Sequence, residues 1–175
     1  ILISGKAGSG KTTAAKFFID KLKKVKGILS TKESFATAAK EIAEFDFGWN
    51  EIKDLKGRKL LQNIGNAGRD YDKNLWVKKL IIKVYKDIPP NVLVVDDWRF
   101  PNEVEFLEES GFKVYKIRII SDRVDEFTDK NDISEISLDN YDNFNFEIIN
   151  NKSMKEFEVL IDLTFQLILK ETQNG

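Results

Sequence analysis

The residues best placed to do chemistry stand at the start of the chain. Gly5-Lys6-Ala7-Gly8-Ser9-Gly10-Lys11-Thr12 fits the pattern G-x-x-x-x-G-K-[ST]. Glycines at 5, 8 and 10 can take positive φ and turn successive backbone amides inward around an anion. A helix beginning near Gly10 adds unpaired N–H groups and its positive dipole end, so phosphate is stabilised there before any side chain acts. Lys11 then reaches the β- and γ-phosphates of a nucleotide, and the Thr12 hydroxyl is a ligand for Mg²⁺. A glycine turn beside a surface lysine would explain the glycines alone. It would not explain the flanks, an apolar strand Ile1-Leu2-Ile3 before the loop and the helical run Thr13-Ala14-Ala15-Lys16-Phe17-Phe18 after it.

Two further sets of residues suit phosphate chemistry. Of the 28 Lys and Arg residues only five are arginine, Arg58, Arg69, Arg99, Arg118 and Arg123. In a chain so rich in lysine, arginine is expected where its planar fork of donors grips phosphate in a way lysine cannot, or else in surface ion pairs. The second set is Asp96-Asp97, which ends the apolar run Val92-Leu93-Val94-Val95. A carboxylate at the carboxyl end of a buried parallel strand is placed to hold Mg²⁺ directly or through water. Strand alternation sends the two side chains to opposite sides, so one acid is redundant for this task.

Composition narrows the chemistry. The chain of 175 residues, 42% of them apolar, suits one domain with a full core. A net charge of −1 gives no global field for nucleic acid or an anionic membrane, so nucleotide binding must be local. Without Cys or His there is no disulfide, thiolate or imidazole metal site, or histidine acid–base catalysis. No apolar stretch approaches a membrane span and no signal-like segment stands out, which together imply a cytoplasmic protein.

Periodicity supplies the elements that must position these groups. Residues 10–26 read as an amphipathic helix with Ala15, Phe18, Ile19, Leu22 and Val25 inward, and Ile28-Leu29-Ser30 as a short second strand. A helix from Glu33 to Phe45 turns Phe35, Ala39, Ile42 and Ala43 inward. Phe35 and Lys40 near its start are candidates for the acceptor site, with Phe35 either core or a base-stacking ring. Residues 51–64 form the next helix, with Leu60, Leu61 and Ile64 on one side and Arg58 and Gln62 on another. Gly65-Asn66-Ala67-Gly68-Arg69 follows. It is either a solvated glycine turn or, with Arg58 and Gln62, a polar constellation suited to a phosphate and a base edge. Residues 73–87 are a strong helix with Trp76, Val77, Leu80, Ile81 and Val84 as its stripe, stopped by Pro89-Pro90. After the 92–95 strand, Pro101 suits the first turn of a helix, which places Arg99 beside the cleft. Strands follow over Lys113–Ile120 and 144–149. Between them, residues 121–143 are polar and acidic without clear periodicity, as expected of a covering lid. Ser153-Met154-Lys155-Glu156 is a capping box opening a last helix, with Phe157, Leu160, Ile161 and Ile168 inward. The order implies an α/β fold, a three-layer arrangement of about five parallel strands wrapped by helices, with ligands at the strands' carboxyl ends. The acceptor-binding helical segment spans about 33–87.

Several of these stretches together resemble the phage-type deoxynucleoside monophosphate kinases, within the wider nucleoside monophosphate kinase group. The resemblance lies in the phosphate loop, Arg58-Lys59-Leu60-Leu61-Gln62-Asn63-Ile64-Gly65, Gly68-Arg69, Trp76-Val77, and above all Asp97-Trp98-Arg99-Phe100-Pro101-Asn102-Glu103. Ser134-Glu135, Leu138-Asp139 and Ile149-Asn150-Asn151 are also similar. Two departures stand out. The family usually has Thr-Glu where Asn66-Ala67 stand, which bears on base or sugar selectivity, and a His where Ile133 stands. The resemblance implies a P-loop kinase domain that transfers the γ-phosphoryl group of ATP to a deoxynucleoside monophosphate with Mg²⁺. Gly5, Gly8, Ser9, Gly10, Lys11, Thr12, Thr13, Arg118 and Asn150 would then bind ATP, and Thr12 and Asp97 the metal. Phe35, Lys40, Arg58, Gln62, Arg69, Trp76 and Arg99 would bind the acceptor, with Lys11, Arg99 and Arg123 catalytic. Its partners would be small-molecule nucleotides, without nucleic acid or membrane, and the chain a monomer or homodimer. Two rivals remain at this stage, a phosphomevalonate kinase-like phosphotransferase and an ATPase switch. A GTPase fits poorly, since Asp96-Asp97-Trp98-Arg99 lacks the D-x-x-G glycine and Asn151-Lys152-Ser153-Met154 the N-K-x-D aspartate.

Overall fold

The structure, a computed structural model, describes residues 1–52, 54–86, 88–123 and 132–173. Five strands, β1 (Leu2–Ser4), β2 (Ser30–Glu33), β3 (Val92–Val95), β4 (Lys116–Ile120) and β5 (Phe146–Ile149), form one sheet in the order β2-β3-β1-β4-β5, every neighbour parallel. The helices are α1 (Lys11–Leu22), α2 (Thr37–Phe47), α3 (Leu55–Tyr71), α4 (Leu75–Tyr85), α5 (Pro101–Glu109), α6 (Ile133–Ile136) and α7 (Met154–Gln173). The three-layer α/β architecture expected from the order of elements is therefore present.

Strand alternation divides the core in two. Ile3, Val94, Ile117, Ile119 and Ile148 face a cluster with Ala14, Ala15 and Phe18 of α1 and Phe157, Ile161 and Phe165 of α7. Leu2 and Val95 face the other side, where Ala39, Trp76, Val77, Leu80, Trp98, Val104 and Leu107 pack. Trp98 is fully buried, edge-on to Tyr141 and Phe144, and its Nε1 donates to the Phe100 carbonyl at 2.8 Å. That clamp fixes the chain on either side of Arg99. No helix among the described residues is long and apolar enough to cross a membrane.

Several local expectations change. The second strand is Ser30–Glu33, paired in register with Val92–Val95, and Leu29 is half exposed. A sheet edge has only one neighbour, so it accepts a polar strand that apolar runs do not reveal. Phe35 lies in the turn before α2, and Ile42, expected inward, is exposed. α3 starts later than expected, capped by Asp54, which accepts from Gly57 N at 2.7 Å. It then runs through Gly65-Asn66-Ala67-Gly68, where a turn was an open reading. The reason is tertiary: Trp76 of α4 lies against Gly68, where a longer side chain would not fit, and donates Nε1 to the Gly65 carbonyl at 2.9 Å. Part of the 121–143 segment, residues 124–131, lies outside the described residues. Residues 132–143 contain α6, the buried Leu138 and the Tyr141 ring packed on Trp98.

Candidate active site

A cavity of about 670 Å³ opens at the carboxyl ends of the strands, between the start of α1, the turn before α2, one face of α3, the segment after β3, and α6. Lys11, Thr12, Phe35, Lys40, Arg58, Gln62, Arg69, Trp76, Asp97 and Arg99 all line it, so the structure brings together residues spread over nearly ninety positions. α3 supplies Arg58, Gln62, Gly65 and Arg69 from one face, because spacings of three and four return to the same side of a helix.

The phosphate loop has the expected backbone. Gly5, Gly8 and Gly10 have φ of 150°, 80° and 102°, in or beside the left-handed region that favours glycine, and no side chain caps the start of α1. Ser9 Oγ is buried without a hydrogen-bond partner, a polar atom left over inside the glycine loop. These features fit a polyphosphate. Asn150 is buried and donates Nδ2 to the Ser9 carbonyl at 2.8 Å, so it holds the loop from behind. Lys11 Nζ donates to the carbonyls of Gly5 and Lys6 at 2.6 and 2.8 Å. Burial and the Arg99 charge lower its pKa to about 8, against the pull of Glu135, Asp96 and Asp97. Thr12 is exposed on the cavity wall, whereas Thr13 is half-buried and does not line it.

The two acids after β3 have separate partners. Asp97 accepts from Ser34 Oγ at 2.6 Å, Phe35 N at 2.9 Å and Ala36 N at 3.0 Å, and so organises the turn that leads into α2. Asp96 is buried and pairs with Lys32 at 3.0 Å. Among the described residues no group of three or more acidic side chains forms a ready-made metal cage. The carboxylates and the Thr12 hydroxyl are hard oxygen donors of the kind Mg²⁺ takes in small numbers.

Along α3, Arg69 lies over the Phe100 ring, 4.2 Å from its centroid, and bonds Asn66 Oδ1 at 2.8 Å. Burial lowers the Arg69 pKa, with Glu103 and Asp132 opposing. Glu103 accepts from Arg99 N and Phe100 N at 3.0 and 3.1 Å, fixing the backbone that presents Arg99. Burial raises its pKa to about 8. Arg99 Nη1 donates to the Ser134 carbonyl at 3.0 Å and to the buried Glu135 carboxylate.

Glu135 was among the recurrent residues of the sequence but carried no expected role. Its other oxygen accepts from Ala7 N of the phosphate loop at 3.0 Å, and its carbonyl accepts from Lys6 Nζ at 2.7 Å. α6 thus ties the loop to Arg99. Lys32, Ser34, Glu103 and Asp132 also line the cavity without having been singled out as binding residues. Position at the carboxyl end of a parallel strand, within β2 for Lys32 and just past it for Ser34, is the available signal for these two.

Two arginines lie elsewhere. Arg118 bonds Ser4 Oγ at 2.9 Å and Asp139 at 3.1 Å, outside the cavity lining. Arg123 is exposed and its Nη2 donates to the Lys152 carbonyl at 3.1 Å, toward the loop before α7.

Comparison with known proteins gives one curated relative, a protein of Acanthamoeba polyphaga mimivirus that carries the provisional name deoxynucleotide monophosphate kinase. It is 32% identical over 184 residues, covering 89% of this chain and 90% of that protein. A solved relative in structure is an unliganded sugar kinase from a Janibacter species, 15% identical with a TM-score of 0.47 over 94% of this chain and 92% of that one. No protein-family model matches the chain.

Proposed function

Because the chain belongs to the deoxynucleotide monophosphate kinase family, we propose that it transfers the γ-phosphoryl group of ATP to a deoxynucleoside 5′-monophosphate, giving ADP and the diphosphate. The observation that carries this reading is one cavity lined by Lys11, beside Thr12 at the phosphate loop, together with the cations Arg58, Arg69 and Arg99. A single nucleotide needs fewer cations than that.

Phosphoryl transfer passes through a loose transition state with charge spread over the transferred oxygens, so positioning and charge neutralisation suffice. The acceptor phosphate is already ionised and needs no general base, which suits a chain without histidine. In this reading the loop amides and Lys11 bind the donor phosphates, with Ser9 and the loop glycines shaping the turn. Thr12 and Asp97 would hold Mg²⁺, whose charge neutralises the donor phosphates when it is bound. Asp97 already accepts three hydrogen bonds, so contact through a water suits it better than direct ligation. Arg58, Arg69 and Arg99 orient the acceptor phosphate. Phe35, Lys40, Gln62 and Trp76 shape the wall where the base and sugar lie, and the segment about 33–87 closes over them to exclude water.

The test is ADP production from Mg·ATP with each common deoxynucleoside and ribonucleoside monophosphate in turn, against a control without acceptor. Stimulation by one or more deoxynucleotides is the expected result. Steady hydrolysis that no monophosphate changes would overturn the reading in favour of an ATPase switch or an acceptor that is not a nucleotide.

A further inference from the structure

Glu135 is a carboxylate that lines the cavity yet is almost wholly buried, its side chain 6% exposed. Each of its oxygens has its own partner. Oε1 accepts from Arg99 Nη1, and Oε2 accepts from Ala7 N of the phosphate loop at 3.0 Å. A carboxylate taken out of water is costly unless such partners satisfy it. Here they come from the phosphate loop on one side and from Arg99 on the other. The like charges of Lys11 and Arg99 repel one another, and Glu135 attracts both.

The way Arg99 is held decides what it can offer. Its side-chain hydrogen bonds to described residues both leave from Nη1, to Glu135 and to the Ser134 carbonyl at 3.0 Å. Arginine carries its N–H donors in a rigid planar fork, so those on Nε and Nη2 are left for an anion in the cavity that Arg99 lines. Without Oε1 of Glu135 the fork would hang from the Ser134 carbonyl alone and could swing about that bond. The phosphate loop does not depend on the Glu135 side chain in the same way. Lys6 Nζ donates to the Glu135 main-chain carbonyl at 2.7 Å, and Asn150 Nδ2 to the Ser9 carbonyl at 2.8 Å, whatever side chain stands at 135.

Resting on the proposed phosphotransfer, we infer that Glu135 is a positioning residue. Its carboxylate fixes the Arg99 fork relative to the phosphate loop, so that an acceptor phosphate held by Arg99 meets the γ-phosphate held by the loop. A displacement of about 1 Å in such an arrangement costs on the order of a hundredfold in rate.

A double-mutant cycle on the full chain tests this role through single-turnover phosphoryl transfer from Mg·ATP to whichever monophosphate stimulates most. Glu135→Gln keeps the length of the side chain but offers an amide N–H₂ to one of the two donors. It should slow the transfer step by roughly tenfold to a hundredfold, with the KM for ATP within about twofold of the wild type. Glu135→Asp keeps the charge but is a methylene too short to span Arg99 and Ala7, and should be slowed likewise. In an Arg99→Ala chain, adding Glu135→Gln should change the rate by less than about twofold, because residues that act as a unit are not additive. Far-UV circular dichroism should be unchanged in both Glu135 variants. Transfer at the wild-type rate in Glu135→Gln would overturn the role. So would a loss that lies in the KM for ATP, or equal factors in the two backgrounds, which is how a residue that only supports the fold behaves. A wild type that no monophosphate stimulates would overturn the proposed reaction and this role with it, whereas a stimulated wild type with additive variants would overturn the role alone.

Discussion

Gly68→Ala tests the packing that carries Arg69 into the site. A Cβ on Gly68 would stand 2.2 Å from Trp76 Cζ2, 2.7 Å from Cε2 and 3.0 Å from Leu75 Cδ2. Carbon atoms pack at about 3.5–4.0 Å, so the indole must retreat by roughly 1 Å or more. It has little room to do so: Trp76 is 5% exposed and its Nε1 is held by the Gly65 carbonyl. Overpacking of this kind costs about 1–3 kcal/mol. Losing the partner of a buried N–H adds about 1–3 kcal/mol, and alanine's better helix propensity returns about 1 kcal/mol. The net expectation is a loss of about 3 kcal/mol, read from urea titrations followed by tryptophan fluorescence and far-UV circular dichroism. Gly65→Ala is the control, because its Cβ would meet only the flexible end of Arg69, at 3.0 Å. That variant should keep its stability and raise the KM for the monophosphate. A Gly68→Ala protein as stable as the wild type, or more so, would refute the reasoning, since that is how a solvent-facing helical glycine behaves.

Three other outcomes are expected. With the Lys11 pKa near 8, kcat/KM for ATP should fall as pH rises through that value, by up to about tenfold per pH unit, as the ammonium that binds phosphate is lost; a profile flat to about pH 10 would count against this role for Lys11. Glu103, raised to about 8, keeps its proton in the folded chain while the unfolded chain ionises above its ordinary 4.5. Its contribution to stability is therefore full below pH 4.5 and lost as pH rises toward 8, by up to about 1.4 kcal/mol per unit. Glu103→Gln can still accept from Arg99 N and Phe100 N, so thermal melts should show a flatter pH dependence; parallel curves for variant and wild type would disprove it. Arg99→Ala should lower kcat/KM for the monophosphate by about a hundredfold or more, the scale of a lost charge-stabilising contact, while sparing the KM for ATP. Equal effects on both substrates would contradict an acceptor-side role.

Much of the site is local in origin and could be read from the chain. A glycine loop between an apolar strand and a helix needs only its own φ freedom and the unpaired amides of α1, and the loop does have the backbone its residues imply. The apolar run before Asp96-Asp97 becomes a strand buried in the sheet for an equally local reason. The alternating elements dictate parallel pairing, and the spacing of Arg58, Gln62 and Arg69 dictates a shared face once the segment is a helix.

What the sequence alone could not decide depends on groups that arrive from far along the chain. Gly65 and Gly68 spell a turn until Trp76 packs on Gly68 and bonds the Gly65 carbonyl, and α3 continues. Leu160 has the spacing of a core residue, and Ile42 likewise, yet both are exposed because each helix has one face on the core and no local pattern says how wide that face is. The partners of Asp97 are sixty positions upstream in the turn before α2, and Glu135 meets Ala7 and Arg99 across the fold. An arginine's chemistry also depends on where its element ends: Arg99 follows a strand that opens on the cavity, whereas Arg123 follows one that leads toward α7. Residue type and spacing determined which groups could bind phosphate, since backbone freedom, charge and periodicity are properties of neighbours in sequence. Which of them face one another was decided by the packing of strands and helices, because burial and hydrogen-bond partners are set by residues that only the folded chain brings near.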